Sequence, residues 1–169
     1  MNADRPYLRS IRDEDGSGRA WCSISPRFRW QETWTGEELA RALVTTLPSA
    51  GGNAELGRSV RDLVVQGRTA TGRVAHLEIR GPGSSLRVTG PAARLVLRNR
   101  EGAMLRSADF NLQISRSGTR IVQLVVSGAG AGHGVGMCQW GALARARAGF
   151  SYQEILSAYF PGTQITRSY

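Results

Sequence analysis

The sequence predicts an α+β fold: a mixed or mostly antiparallel sheet of about five strands, a helix near residues 36–47 and two C-terminal helices. Three observations carry this. A capping box at Thr35 opens an apolar helical pattern, short β-type runs separated by turn signals fill residues 60–126, and two further helical patterns follow a glycine-rich stretch. With 169 residues, 41% of them hydrophobic, the chain has enough apolar material for one core. A single domain over residues 1–169 is the expectation.

Residues 1–34 carry few periodic signals; turns fall between Asp13 and Gly18, and Trp21, Trp30 and Trp34 stand in extended-looking chain. Short strands are expected near residues 20–24 and 28–33. Thr35-Gly-Glu-Glu38 then caps LARALVTTL, and Pro48-Ser-Ala-Gly-Gly-Asn53 ends that helix. The runs VRDLVVQGR, RVAHLEIRG, SLRVTG, ARLVLRN, FNLQISR and IVQLVVSG supply the strands. Val74, Leu77 and Ile79 alternate with His76, Glu78 and Arg80, the pattern of a strand with one wet face. A helical turn is expected in each of 90–94 and 100–110. The last two helices are expected over 139–148 and, after the capping box Ser151-Tyr-Gln-Glu154, over 151–159.

The formal charge is +9, yet every basic residue is arginine and none is lysine. The arginines are scattered and form no basic tail, which argues against a nucleic-acid partner and licenses only diffuse attraction to polyanions. The chain starts without an apolar signal-peptide core and contains no apolar run long enough for a transmembrane helix. Cys22 and Cys138 are far apart in sequence, consistent with two small buried residues or with one disulfide.

Residues 125–163, VVSGAGAGHGVGMCQWGALARARAGFSYQEILSAYFPGT, hold the functional signal. Glycine occupies 128, 130, 132, 134 and 136, so in an extended chain one face would be bare backbone. Such a run marks a turn or a close approach of backbone or ligand. His133 lies within it, and Gln139 and Trp140 follow: an imidazole, an amide and a wide apolar ring, suited to a polar ligand with a stacking platform. Dinucleotide binding is excluded, because the third glycine of the fingerprint is missing and no second parallel strand follows; a P-loop requires a lysine. His133 and Cys138 suit zinc, but only His76 and Cys22 remain as soft partners, and nothing in the sequence places them nearby, so no metal or cofactor is expected. A Cys138 nucleophile would need His133 as its base across a glycine turn, a geometry the spacing disfavours.

The stretch GAGAGHGVGMCQWGALARARAGFSYQEILSAYFPGT resembles the signature of the stage II sporulation protein D family, which includes bacterial amidase enhancers of the cell wall. The usual form reads G-x-G-H-G-V-G-M-S-Q-W-G-A, then G-x-S/T-Y, E-I-L and P-G-T. PYLRSIRDED, TGEELARAL, TGRVAHLEI, VTGPAARLVL and LRSADFNL are similar as well, so the resemblance covers nearly the whole chain and is weak over 48–58. It implies extracytoplasmic work on peptidoglycan: a lytic transglycosylase type that cuts denuded glycan strands, or, alternatively, a non-catalytic amidase enhancer or wall-binding module, with glycan strands and a cell-wall amidase as partners. By the same analogy His133, Gln139 and Trp140 line a glycan cleft, Met137 packs beneath the turn and Tyr159 stands near it. Cys138 replaces the customary serine.

The family's acid glutamate lies in an upstream E-M-P segment, and the zinc ligands of some members lie upstream too; this chain has no such segment, so the expectation is a partial domain with an unassigned catalytic residue. Glycosidic cleavage needs a carboxylic acid to protonate the leaving oxygen. Glu154 reads as a cap, Glu37 and Glu38 as first-turn residues that suit the helix dipole, and Asp109 as a surface residue.

Overall fold

The computed structural model describes residues 7–166. The chain divides into two compact units, Arg29–His133 and a second made of Met1–Phe28 with Gly134–Tyr169. In the first unit the order is β1 (Arg29–Thr35), α1 (Gly36–Thr46), the short α2 (Ala54–Arg58), β2 (Asp62–Arg68), β3 (Val74–Arg80), β4 (Ser85–Thr89), α3 (Gly90–Val96), β5 (Phe110–Ser117) and β6 (Arg120–Ala129). The α+β class stands. The strands number six rather than about five, and they form two three-stranded antiparallel sheets, β1-β6-β5 and β2-β3-β4.

Local chemistry explains each departure from the expected elements. The run ARLVLRN belongs to helix α3 at its start, because Thr89 accepts a hydrogen bond from the Ala92 N–H, Pro91 sits in the first turn, and Ala93 and Val96 are buried. No helix forms over 100–109: the Asn99 carboxamide accepts from the Glu101 and Ala103 N–H groups and holds a turn instead.

Helix α1 packs against β1, β6, α2 and α3. Its capping box is complete, with Glu38 N–H donating to Thr35 Oγ1 at 3.3 Å and Thr35 N–H to Glu38 Oε2 at 2.8 Å. Leu39, Leu43 and Leu47 are buried with Trp34, whose Nε1–H donates to the Arg98 carbonyl at 2.9 Å. Strand β3 alternates as its sequence requires, burying Val74, Leu77 and Ile79 while His76 and Arg80 stay exposed.

The second unit holds α4 (Gln139–Arg147) and α5 (Tyr152–Tyr159), each within a residue or two of the expected bounds. Residues 21–24, expected as a strand, form a 3-10 helix packed against α4. The reason lies just before it. Asp15 Oδ1 accepts from the Ser17 and Arg19 N–H groups, tightening a turn closed by a single bridge between Glu14 and Ala20, so the chain leaves already curled.

Ser151 and Glu154 form the second capping box. Hydrogen bonds from the Ser151 hydroxyl and N–H hold the Glu154 carboxyl below the usual carboxylate range. A group with a lowered folded pKa stabilises the fold above its unfolded value, and that contribution disappears as pH falls through the folded pKa. Ser151→Ala should therefore cost about 1 kcal/mol in a denaturant melt at neutral pH, and less in acid. Among the described residues, no helix is long and apolar enough to cross a membrane.

Candidate functional site

The signature begins on β6, and its first glycine serves the fold. A side chain at Gly128 would overlap the Trp30 indole, which lies across it and donates from Nε1 to the Gly130 carbonyl at 2.9 Å. The end of β6 is pinned by Ser107, the one buried polar residue among those described; its hydroxyl donates to the Ala129 carbonyl at 2.6 Å and accepts from the Asp109 N–H at 3.1 Å. Arg94 on α3 steadies the same segment through the Leu105 and Arg106 carbonyls, and the Gly132 N–H reaches the Arg106 carbonyl. Sequence reasoning missed Ser107. Its signal is a serine flanked by small and apolar residues just before a strand, too common to single out.

After Ala129 the chain is no longer extended. Gly130, Gly132, Gly134 and Gly136 all have φ between 68° and 127°, a region that side chains rarely adopt, so the alternation produces a series of tight turns rather than a strand with a bare face. His133 is exposed within these turns and is the last residue of its unit.

In the other unit, Met137, Gln139 and Trp140 are brought together at the start of α4. Trp140 is 40% exposed, whereas Trp30 and Trp34 are buried. Met137 is 44% exposed, and the ring closest to Gly136 is that of Phe160. Met137, Trp140 and Leu143 are all exposed apolar side chains, and Gln139 beside Trp140 is exposed as well.

Tyr159 reaches α4 from below, 1% exposed. Its hydroxyl donates to Asp13 Oδ2 at 2.6 Å, and Arg145 donates to Asp13 Oδ1 at 3.1 Å. A side chain at position 141 would overlap both the Asp13 carboxylate and the Tyr159 hydroxyl, so the glycine of Gln139-Trp-Gly lets this cluster seat against the first turn of α4. Trp21, Tyr159 and Phe150 surround the Arg145 guanidinium with ring centroids at 5.1, 5.5 and 5.9 Å. Burial, and then the hydrogen bond to Asp13, push the Tyr159 hydroxyl well above its ordinary pKa, so it stays a donor at physiological pH.

Cys22 and Cys138, left open by the sequence, are both half-buried free thiols, each the other's main electrostatic partner. Cys138 is the N-cap of α4 and accepts from the Gly141 N–H at 3.4 Å. The Cys22 hydrogen bond, helped by the Gly141 and Trp140 N–H groups, pulls Cys138 down to about 6 against partial burial and the Asp13 charge. Cys22, whose proton is held in that bond, is pushed up.

Of the carboxylates weighed as a substitute acid, Glu38 and Glu154 are engaged in capping boxes. Glu38 is held below the carboxylate range by the Thr35 N–H and Arg100, and Glu154 by its own cap. Asp109 lines an open cavity of about 480 Å³ at the end of the β1-β6-β5 sheet, together with Arg29, Gln31, Asn111 and Ser127. Among the described residues, no group of three or more His, Cys, Asp or Glu is placed to hold a metal ion.

The chain belongs to a family described as a domain of unknown function (DUF8618), whose model matches residues 20–136. It is also similar to stage II sporulation protein D of Bacillus subtilis (strain 168), 29% identical over 168 residues, which is 96% of this chain and 39% of that protein. The protein of the same name from Bacillus amyloliquefaciens is 29% identical over 163 residues, again 96% and 39%. The amidase enhancer of Bacillus subtilis (strain 168) is 61% identical over 41 residues, 24% of this chain and 6% of that protein. The chain thus spans 39% of the length of the two sporulation proteins, and these likenesses support the resemblance drawn from the signature.

Proposed function

We propose that this chain is a peptidoglycan-processing module that binds a glycan strand, of the lytic transglycosylase type, acting in sporulation or cell-wall remodelling outside the cytoplasm. The observation that carries the reading is the exposed Trp140 beside Gln139, inside the signature shared with the sporulation family, in a chain whose Trp30 and Trp34 are core residues. An indole face turned to water takes the C–H face of a sugar ring, and a neighbouring carboxamide offers both donors and an acceptor to its hydroxyl and acetamido groups. Met137 is proposed as a further contact beside Trp140, His133 as a glycan contact on its own unit, and Tyr159 as the buried support of the helix that presents Trp140. Asp13, Glu38 and Glu154 are engaged in structural hydrogen bonds, so none of them is proposed as the acid.

The amidase enhancer likeness, 61% identity over 41 residues, favours a second reading in which the module binds glycan without cutting and stimulates a wall amidase. Both readings require binding. Denuded glycan strands should be retained by the immobilised chain at salt concentrations that screen its arginines. Anhydro-ended products from these strands, detected by mass spectrometry, assign the transglycosylase reading; on intact, peptide-bearing peptidoglycan, faster peptide release by an added amidase without such products assigns the enhancer reading. Strands that pass through unretained contradict both.

A further inference from the structure

We propose that Cys22 and Cys138 form a dithiol site that is oxidised to an intramolecular disulfide by exchange with a small disulfide, tying the 3-10 helix at residues 21–24 to the N-cap of the helix that carries Gln139 and Trp140. This rests on thiol geometry and is independent of the glycan reading. The two residues come from opposite ends of the sequence, yet the 3-10 helix that bears Cys22 packs against α4, which Cys138 caps, and each thiol is the other's main electrostatic partner. Both are half-buried rather than sealed. Neither is part of the Asp13–Arg145–Tyr159 cluster, and the glycan reading uses neither.

The positions assign the roles. Cys138 sits at the N-terminus of a nine-residue helix and accepts from the Gly141 N–H, so it is the thiolate and the attacking sulfur. The titratable groups facing it are Cys22 from the 3-10 helix, Asp13 from the N-terminal segment and Tyr159 from α5, while Arg145 on α4 balances the Asp13 charge. The neighbouring Cys22 thiol and the Gly141 N–H draw its pKa down, which favours the thiolate.

In the first step the Cys138 thiolate attacks one sulfur of the small disulfide, forming a mixed disulfide and releasing one small thiolate. Cys22 then gives up its proton and attacks the Cys138 sulfur, closing the Cys22–Cys138 bond and releasing the second. The two protein thiols are oxidised, and the small disulfide is reduced to two thiols.

The test uses the full reduced chain and oxidised glutathione at neutral pH. The expected product is a monomer lighter by two hydrogens, whose non-reducing peptide map joins the Cys22 and Cys138 peptides. Cys22→Ser should trap a glutathione adduct on Cys138. Cys138→Ser should slow modification of Cys22 about tenfold or more relative to that of Cys138. Two free thiols after prolonged incubation, a crosslink formed only between chains, or a Cys22 that reacts in Cys138→Ser as fast as Cys138 does in Cys22→Ser would overturn the assignment.

Discussion

Replacing Asp13 with alanine is expected to destabilise the unit built from the two ends of the chain by about 3–5 kcal/mol, the effect of removing one partner of a buried ion pair. The Asp13 and Arg145 side chains are only 14% and 13% exposed. Without the carboxylate, the guanidinium keeps its charge among the rings of Trp21, Tyr159 and Phe150, and its Nε already has no acceptor. The Tyr159 hydroxyl loses its acceptor as well. Asp13→Asn should cost less, since an amide oxygen still accepts a hydrogen bond. It should also move Cys138 further down, because the negative charge on Asp13 works against the thiolate. Denaturant melts and the thiolate absorbance read these two effects separately. An Asp13→Ala protein as stable as the parent would mean that the cluster does not hold this unit together.

Gly128→Val is expected to cost about 3 kcal/mol or more in the other unit, although valine is favoured in strands. Position 128 pairs with Trp30 on one side and Phe110 on the other, and the indole occupies the space a side chain would need. The Asp109 carbonyl lies 2.6 Å from where a Cβ would stand, so the substitution also strains the backbone where it meets β5. Displacing Trp30 breaks its hydrogen bond to Gly130 and uncovers a residue that is 6% exposed. Thermal melts and tryptophan emission should both shift. A Gly128→Val protein with parental stability would return this glycine to the group kept for ligand access.

These two sites show what the sequence could and could not reveal. Helices α1 and α5 were legible because their capping residues act within a few positions of themselves, Thr35 with Glu38 and Ser151 with Glu154, and α4 from its apolar spacing and the closing Gly149. Strand β3 was legible from alternation, whereas α3 was legible only as a turn over 90–94 and its end was misread as a strand, since Leu95, Val96 and Leu97 are β-like in composition and the Thr89 cap decides the outcome. The division of the strands into two sheets depends on pairings such as β1 with β6, which no local pattern encodes.

In the site, the glycine series was visible but its conformation was not: alternate glycines suit a bare strand face or a chain of positive-φ turns equally well, and only the backbone distinguishes them. The Asp13–Arg145–Tyr159 cluster and the Cys22–Cys138 contact join residues from opposite ends of the sequence, so spacing carried no sign of either.

The central claim is that Trp140 faces water in order to meet a sugar. The most direct measurement is the dissociation constant for denuded glycan strands of the parent, Trp140→Ala and Tyr152→Ala, taken where salt screens the arginines. Tyr152 is the proper control, an aromatic of the same unit that is 62% exposed and outside the proposed contacts. The account predicts binding weakened about tenfold or more in Trp140→Ala and left unchanged in Tyr152→Ala, both variants melting close to the parent. Equal affinity for all three, or an equal loss in both variants, would contradict it.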